Sequence, residues 1–304
     1  MLRLAQAAVA LNVLLVVTGA AVRLSGSGLG CPTWPRCTST SLTSTAELGG
    51  HGVIEFGNRV LAVVLEVVGV LLVLAVRRAR PALPSSWTRL ALVQALVVPL
   101  QAVLGGVLVL SGLNPYVLPL HFLVSFPLLL AALALLRRVR DGEPGAERAP
   151  VVRPELRMLT GGLVVAAGLV LVAGTLVTGT GPHAGGPDVR RMPFDPRDVT
   201  QLHADLVFLL VGLTLATAVA ARALSAPRAV GRSLVGLAAL IVAQGALGYV
   251  QYYNGVPPLL AGVHVLGAAL VFATAAWAHL STSGPARSGA TGTAPARPLV
   301  TSRG

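Results

Sequence analysis

Long apolar stretches alternate along this chain with short polar connections that carry arginine. A bilayer core, roughly 30 Å thick, is crossed by about 20 residues of α-helix. Lipid-facing backbone must form its hydrogen bonds within its own segment, and no ten-residue alternation typical of barrel strands is present. The pattern therefore predicts an all-α polytopic membrane protein with eight transmembrane helices. The predicted spans are 4–22, 53–76, 90–110, 116–136, 158–178, 201–221, 233–253 and 258–280.

Composition and charge placement support this interpretation. The chain is 54% hydrophobic and 11% charged, whereas soluble domains carry about 25% charged residues, which excludes an ordinary soluble enzyme. Of its 23 basic residues, all arginine, 17 lie at the two termini or after spans 2, 4 and 6, and five lie on the opposite side. The positive-inside rule then places both termini in the cytoplasm of a cell (plasma) membrane protein. The net charge of +12 is a topology signal, and no nucleic acid is expected as a partner.

The two halves of the chain resemble each other. Residues 101–106 (Gln-Ala-Val-Leu-Gly-Gly) match residues 244–249 (Gln-Gly-Ala-Leu-Gly-Tyr), and His121 matches His264 at the same offset of 143 residues. Four spans per half give both halves one orientation, as in parallel repeats. We therefore predict two pseudo-symmetric four-helix bundles. The divisions are an N-terminal half (1–140), a polar cytoplasmic linker (141–156), a C-terminal half (157–280) and a disordered cytoplasmic tail (281–304).

Polar side chains near the outer ends of the even-numbered spans are the candidate chemistry. His203 and His264 lie at similar depth in the second half, so two imidazoles can approach one haem iron from opposite faces. Zinc is the competing interpretation, but it takes three or four ligands. In the first half His121 has Asn58 where the repeat predicts histidine, and an amide is a poor axial ligand. A haem held by His121 alone keeps its sixth position open or weakly occupied, which suits oxygen chemistry.

Two further features of the first half have open interpretations. Glu55 and Arg59 share a helix face with Asn58 and form either an i,i+4 ion pair or a site in which Glu55 relays protons and Arg59 binds a haem propionate. Cys31 and Cys37 flank a short outer loop, where a disulfide is permissible. The pair is either a structural clamp or redox-active.

In combination, these motifs closely resemble the haem A synthase family. The resemblance covers about residues 4–280. It is carried by Thr18–Cys37 with its glycine-rich turn, by Ile54-Glu55-Phe-Gly-Asn58-Arg59, and by the segments around His121, His203 and His264. Asn58 departs from the many members that have histidine there, and the second outer cysteine pair of some members is absent.

The resemblance implies oxidation of a methyl group of haem O to the formyl group of haem A, by successive hydroxylation, for cytochrome oxidase biogenesis. It implies a cofactor haem b between His203 and His264, a substrate haem on His121, and a role in activity for Glu55, with the sites toward the extracytoplasmic side. It also matches the family's cysteine pair to Cys31 and Cys37.

Candidate partners besides haem O are the haem O synthase (protohaem farnesyltransferase), membrane lipid and a second copy of the chain in a homo-oligomer. Two alternatives to the enzyme remain open on the sequence. One is a non-catalytic b-type cytochrome that relays electrons, and the other is a transporter built on a parallel repeat.

Overall fold

The computed structural model describes residues 1–79, 82–142, 148–183, 185 and 189–285 of the 304 residues. Within these ranges eight helices are long and apolar enough to cross a membrane, which confirms the predicted spans. Their bounds are α1 Leu2–Leu24, α2 Gly49–Arg77, α3 Ser85–Leu110, α4 Val117–Asp141, α5 Pro154–Thr180, α6 Pro196–Ala223, α7 Arg228–Tyr253 and α8 Pro258–Leu280. A short 3₁₀ turn, Ala46–Leu48, leads into α2.

Several helix starts follow directly from the sequence. Pro154, Pro196 and Pro258 stand in the first turn of α5, α6 and α8, where a missing N–H costs no helical hydrogen bond. The carboxylate of Asp195 caps α6 by accepting a hydrogen bond from the backbone N–H of Arg197 at 2.7 Å. Sequence signals therefore set the end of α6 that carries His203.

The helices pack in two rings of four. In the first half α1 contacts α2, α2 contacts α3, α3 contacts α4, and α4 returns to α1. In the second half α5, α6, α7 and α8 contact one another in the same cyclic order. Contacts between the halves run through α1 and α8, α4 and α8, and α4 and α5.

The apolar core is distributed unequally between the halves. One large cluster fills the second half and includes side chains of α4, with Phe126 meeting Phe272 edge to face at 5.2 Å between ring centroids. The first half holds two smaller clusters. Its interior also contains a buried polar chain, in which Asn12 Nδ2 donates to Gln94 Oε1 at 3.1 Å and Gln94 Nε2 donates to Leu128 O at 2.8 Å.

A small antiparallel ladder joins the linker to the segment after α8. Strand β1, Arg148–Pro150, pairs with strand β2, Ser283–Pro285. Residues 281–285 of the predicted disordered tail lie within the described range, and residues 283–285 pair with β1. Residues 286–304 of the predicted tail and 143–147 of the predicted linker lie outside the described residues, as do four of the counted arginines, Arg80, Arg287, Arg297 and Arg303.

Candidate functional site

His203 and His264 face each other at one end of the second half. Their ring centroids are 6.5 Å apart and the ring planes cross at 61°. Two imidazoles bound to opposite sides of one metal, through bonds of about 2 Å, have ring centroids roughly 6 Å apart. The separation of the two rings thus fits a single iron atom between them.

Neighbouring helices hold both rings in place. His203 Nδ1 donates to the carbonyl oxygen of Val170 on α5 at 3.1 Å, which leaves Nε2 for a ligand. The ring lies over Gly174, where an added Cβ would be 3.3 Å from its Cε1 atom. The His264 ring lies similarly over Gly248 of α7, and in the described part of the chain its buried Nδ1 has no hydrogen-bond partner. A backbone bond to one imidazole nitrogen with the other left free is the usual arrangement of a metal-binding histidine.

His121 occupies the matching position in the first half, but without a second imidazole. Its ring lies over Gly105 of α3, with 3.4 Å between Cε1 and an added Cβ, and its buried Nδ1 has no partner within the described ranges. Asn58 is engaged elsewhere, because Thr18 Oγ1 donates to Asn58 Oδ1 at 2.7 Å. Among the described residues no ring contact joins His121 to another histidine. The first half therefore offers one imidazole where the second offers two.

Each half also has a glutamine near its α4 or α8 histidine. Gln101 lies one helical turn before Gly105, and Gln244 lies one turn before Gly248. Gln101 Nε2 donates to Ser125 Oγ at 3.0 Å. The Gln244 amide occupies the space over Gly267, where an added Cβ would lie only 1.7 Å from Nε2. Both Oε1 atoms are buried without a hydrogen-bond partner in the described structure. Unpaired buried polar atoms are uncommon in proteins and mark places where a ligand can bind.

Glu55 and Arg59 tie helix α2 to the outer loop. Glu55 is 6% exposed; its Oε1 lies 2.5 Å from Arg59 Nη2, and its Oε2 accepts a hydrogen bond from the Cys31 N–H at 2.7 Å. Arg59 also donates to the carbonyl oxygens of Cys31, Thr33 and Arg36. The i,i+4 ion pair is therefore present, and it extends into a network that fixes the loop. Every described contact of the Arg59 guanidinium goes to this network, so its assignment to a propionate stays a prediction.

The loop itself is closed by a disulfide and lies beside His121. Cys31 and Cys37 are bonded, which confirms the predicted disulfide. Trp34, within this ring, packs on Gly106 of α3 so closely that an added Cβ would be 2.5 Å from its Cδ2 atom. Gly106 directly follows the glycine under His121. The disulfide loop thus covers the end of α3 next to the first candidate site.

Arg23 is a candidate site residue that the sequence argument counted only as an outer-loop charge. It lies in the last turn of α1, and its Nη2 donates to Thr178 O of α5 at 3.0 Å, while its buried Nε has no partner among the described residues. The neighbouring Leu24 packs on Gly262 of α8, two residues before His264. A guanidinium of the first half therefore lies at the histidine end of the second. The sequence alone does not mark Arg23 as a site residue, because the side of the helix on which it lies is visible only in three dimensions.

The donor set of the second half is incomplete for zinc. Within the described ranges no three or more His, Cys, Asp and Glu side chains are grouped so that they could hold a metal ion. Zinc takes three or four such ligands. Two opposed imidazoles instead match the axial pair of a haem, whose porphyrin supplies the other four donors.

Comparisons with known proteins point to a single family. The profile of the COX15-CtaA family, described as cytochrome oxidase assembly protein, matches residues 3–276. The chain is 34% identical over 178 residues to a protein named heme A synthase from Symbiobacterium thermophilum, covering 55% of this chain and 56% of that protein. It is 33% identical over 147 residues to the heme A synthase of Shouchella clausii, covering 47% of each. The matched part thus spans about half the length of these relatives.

Proposed function

Because this chain belongs to the COX15-CtaA family of cytochrome oxidase assembly proteins, we propose that it is a haem A synthase that oxidises a methyl group of haem O to a formyl group by successive hydroxylation. The observation that carries the proposal is the unequal pair of histidine sites at one end of the two helix rings. One site has two opposed imidazoles and the other has one. Tight ligation on both faces suits electron transfer, whereas an open face suits oxygen chemistry.

In the second half, His203 and His264 would hold a haem b. The spacing of their rings and the free nitrogen of each imidazole support this assignment. When bound, such a haem supplies one-electron transfer. The Val170 carbonyl orients the His203 ring, and Arg23, which lies at the same end, would pair with a propionate.

In the first half, His121 would bind the iron of the substrate haem O from one side. Asn58 Oδ1 accepts a hydrogen bond from Thr18, and an amide is a poor iron ligand, so the opposite face of the haem would stay accessible. Trp34 of the disulfide loop packs on Gly106 of α3, and this cover would exclude water from the site beside it. Glu55 is the candidate proton-transfer group, and its described contacts also give it a positioning role, since it holds the loop through the Cys31 N–H.

The wider setting is part of the same proposal. The arginine distribution supports a plasma-membrane protein with both termini in the cytoplasm and both haem sites toward the outer side. The two rings of helices, at residues 1–140 and 157–280, act as pseudo-symmetric bundles with separate tasks, reaction in the first and electron relay in the second. An apolar haem has to pass between enzymes within the membrane, which favours a complex with the haem O synthase. A homo-oligomer is also compatible with the fold.

Pigment analysis tests the proposal directly. The chain is expressed together with a haem O synthase, and the extracted haems are separated by chromatography. We expect haem A, together with a hydroxylated intermediate. Persistence of haem O with neither product would overturn the enzyme and favour an electron-relaying b-type cytochrome, whereas a purified protein without any haem spectrum would favour a transporter.

A further inference from the structure

A basic cavity lies at the end of the molecule opposite the histidines. It has a volume of about 420 Å³ and is formed where α4 and α8 end and α7 begins. Three of its seven lining residues are arginines, and a tryptophan forms one wall. The lining consists of Arg137, Arg140, Asp141, Ala229, Arg232, Ser233 and Trp277.

The single carboxylate of the cavity is already neutralised. Asp141 pairs with Arg137 at 3.1 Å and with Arg148 of strand β1. Within the described residues Arg140 and Arg232 have no carboxylate within ion-pair distance. The cavity therefore keeps two uncompensated guanidinium groups, which favours an anion.

The tryptophan gives the cavity a rigid, amphipathic wall. The guanidinium carbons of Arg137 and Arg140 lie 5.6 and 5.7 Å from the Trp277 ring centroid. Arg137 is further held by a 3.3 Å hydrogen bond to Ser281 Oγ. Tryptophan and arginine together are typical of the interface between a bilayer and water. These contacts orient Arg137 and Arg140 before any ligand binds.

Exposed valines form an apolar track along α7, which begins beside the cavity. On α7, Val235 and Val242 are 67% and 73% exposed and lie on the same side as the exposed Arg232. Free phosphate would use only the guanidinium groups of such a site. An amphiphile would use both the cationic cavity and the apolar track.

We propose that this cavity binds the phosphate headgroup of an anionic phospholipid, whose acyl chains lie along the exposed face of α7. Basic pockets between transmembrane helices are suited to such headgroups, and each arginine contributes attraction to anionic lipid. The site joins the end of α4, from the first half, to α7 and α8 of the second. A bound lipid would therefore bridge the two rings of helices at the end away from the haem sites.

Native mass spectrometry of the full-length protein tests the proposal. The protein is titrated with dioleoyl phosphatidylglycerol and, separately, with dioleoyl phosphatidylcholine. We expect phosphatidylglycerol to bind about tenfold more tightly to the wild type, and the double variant R140Q/R232Q to lose this preference. The matched control R77Q/R78Q removes the same charge from the exposed end of α2, outside the cavity, and retains the preference.

Three outcomes would overturn the lipid site. They are equal binding of the two lipids to the wild type, an equal loss in the cavity and control variants, and displacement of phosphatidylglycerol by millimolar inorganic phosphate, which would indicate a site for the free ion. Circular dichroism and gel filtration verify that R140Q/R232Q is folded. The single variant R232Q, which changes only an exposed side chain, provides the same comparison with a smaller expected loss.

Discussion

The two halves of this protein have the same cyclic helix order but differently built interiors. The second half has one continuous apolar core and two histidines facing each other at 6.5 Å. The first half has a divided core, a buried Asn12–Gln94 hydrogen bond and one histidine, with Asn58 held by Thr18. It alone carries the disulfide loop among the described residues.

Two rings of four helices with the same contact order therefore enclose different sets of polar side chains. In the second half His203 of α6 meets His264 of α8, whereas in the first half the described contact of Asn58 of α2 goes to Thr18 of α1. A single substitution, Asn58 against His203, changes the number of imidazoles. In the first half only, the disulfide loop adds a cover, and its Cys31 N–H bonds to an acidic group of α2, Glu55. Each of the following changes tests one part of this contrast.

The largest effect is expected from removing one of the paired imidazoles. His264→Ala leaves the second site with a single axial ligand, so the low-spin b-type spectrum should disappear while the helical circular dichroism is retained. A reduced-minus-oxidised difference spectrum measures this. The control is His279→Ala. His279 lies on the same helix, but its Nδ1 is hydrogen-bonded to Thr160 Oγ1 at 3.1 Å, so this variant should keep the spectrum. An unchanged spectrum in His264→Ala would count against this ligand.

The next prediction concerns Glu55, which has no acidic counterpart at the matching position of the second half. Glu55→Gln removes the ionisable proton and weakens the pair with Arg59, so haem A formation should fall about a hundredfold while haem O remains bound. The yield of haem A per bound haem O measures the change. Glu66→Gln, three turns further along α2, is the control and should retain most of the activity. Wild-type turnover in Glu55→Gln would rule out proton transfer by this residue.

Asn58→His should make the two halves more alike. It places an imidazole at the position that corresponds to His203, so a second bis-imidazole low-spin signal should appear when haem O is supplied. Electron paramagnetic resonance distinguishes this signal from that of the second site. Asn58→Ala loses the same contact with Thr18 without adding a ligand and should give no new signal. If the two variants give identical spectra, the correspondence between Asn58 and His203 is wrong.

The smallest effect concerns the polar interior of the first half. Asn12→Leu leaves Gln94 Oε1 buried without its donor and should lower the free energy of unfolding by about 1 kcal/mol. Thr214→Val in the second half removes a hydroxyl that bonds only to Leu210 O of its own helix, and it should change stability less. Thermal unfolding of both variants in the same detergent measures the difference in stability. An equal loss of stability in the two variants would contradict the prediction.

Much of the fold could be predicted because each membrane helix can be recognised from the apolar residues of its own segment. Each of the eight helices contains an 18-residue window that is apolar enough to cross a membrane, and Pro196 with Asp195 marks the start of α6. The helices nevertheless extend beyond the apolar windows, as α4 does through Arg137 to Asp141, since polar residues continue a helix outside the hydrocarbon. The β1–β2 ladder was not predicted, because its strands are short and far apart in the chain.

The candidate site was only partly predictable, because its contacts also join residues that are far apart in the chain. His203 and His264 were identified from spacing and depth, and the structure brings their rings together. Gly105 and Gly248 were visible in the repeat, but their role as supports under histidine rings was not. Arg23 was missed as a site residue, because a helix-end arginine has the same sequence signal whether it faces water or a neighbouring helix.

By itself the sequence determined the helical spans, the repeat, the histidine positions and the arginine asymmetry, because these depend on residue type and on distance along one helix. Only the tertiary structure decided which groups meet: Glu55 with Cys31, Trp34 with Gly106, and the arginines of the cavity with Trp277. Such contacts join segments far apart in the chain, and their geometry depends on how whole helices pack.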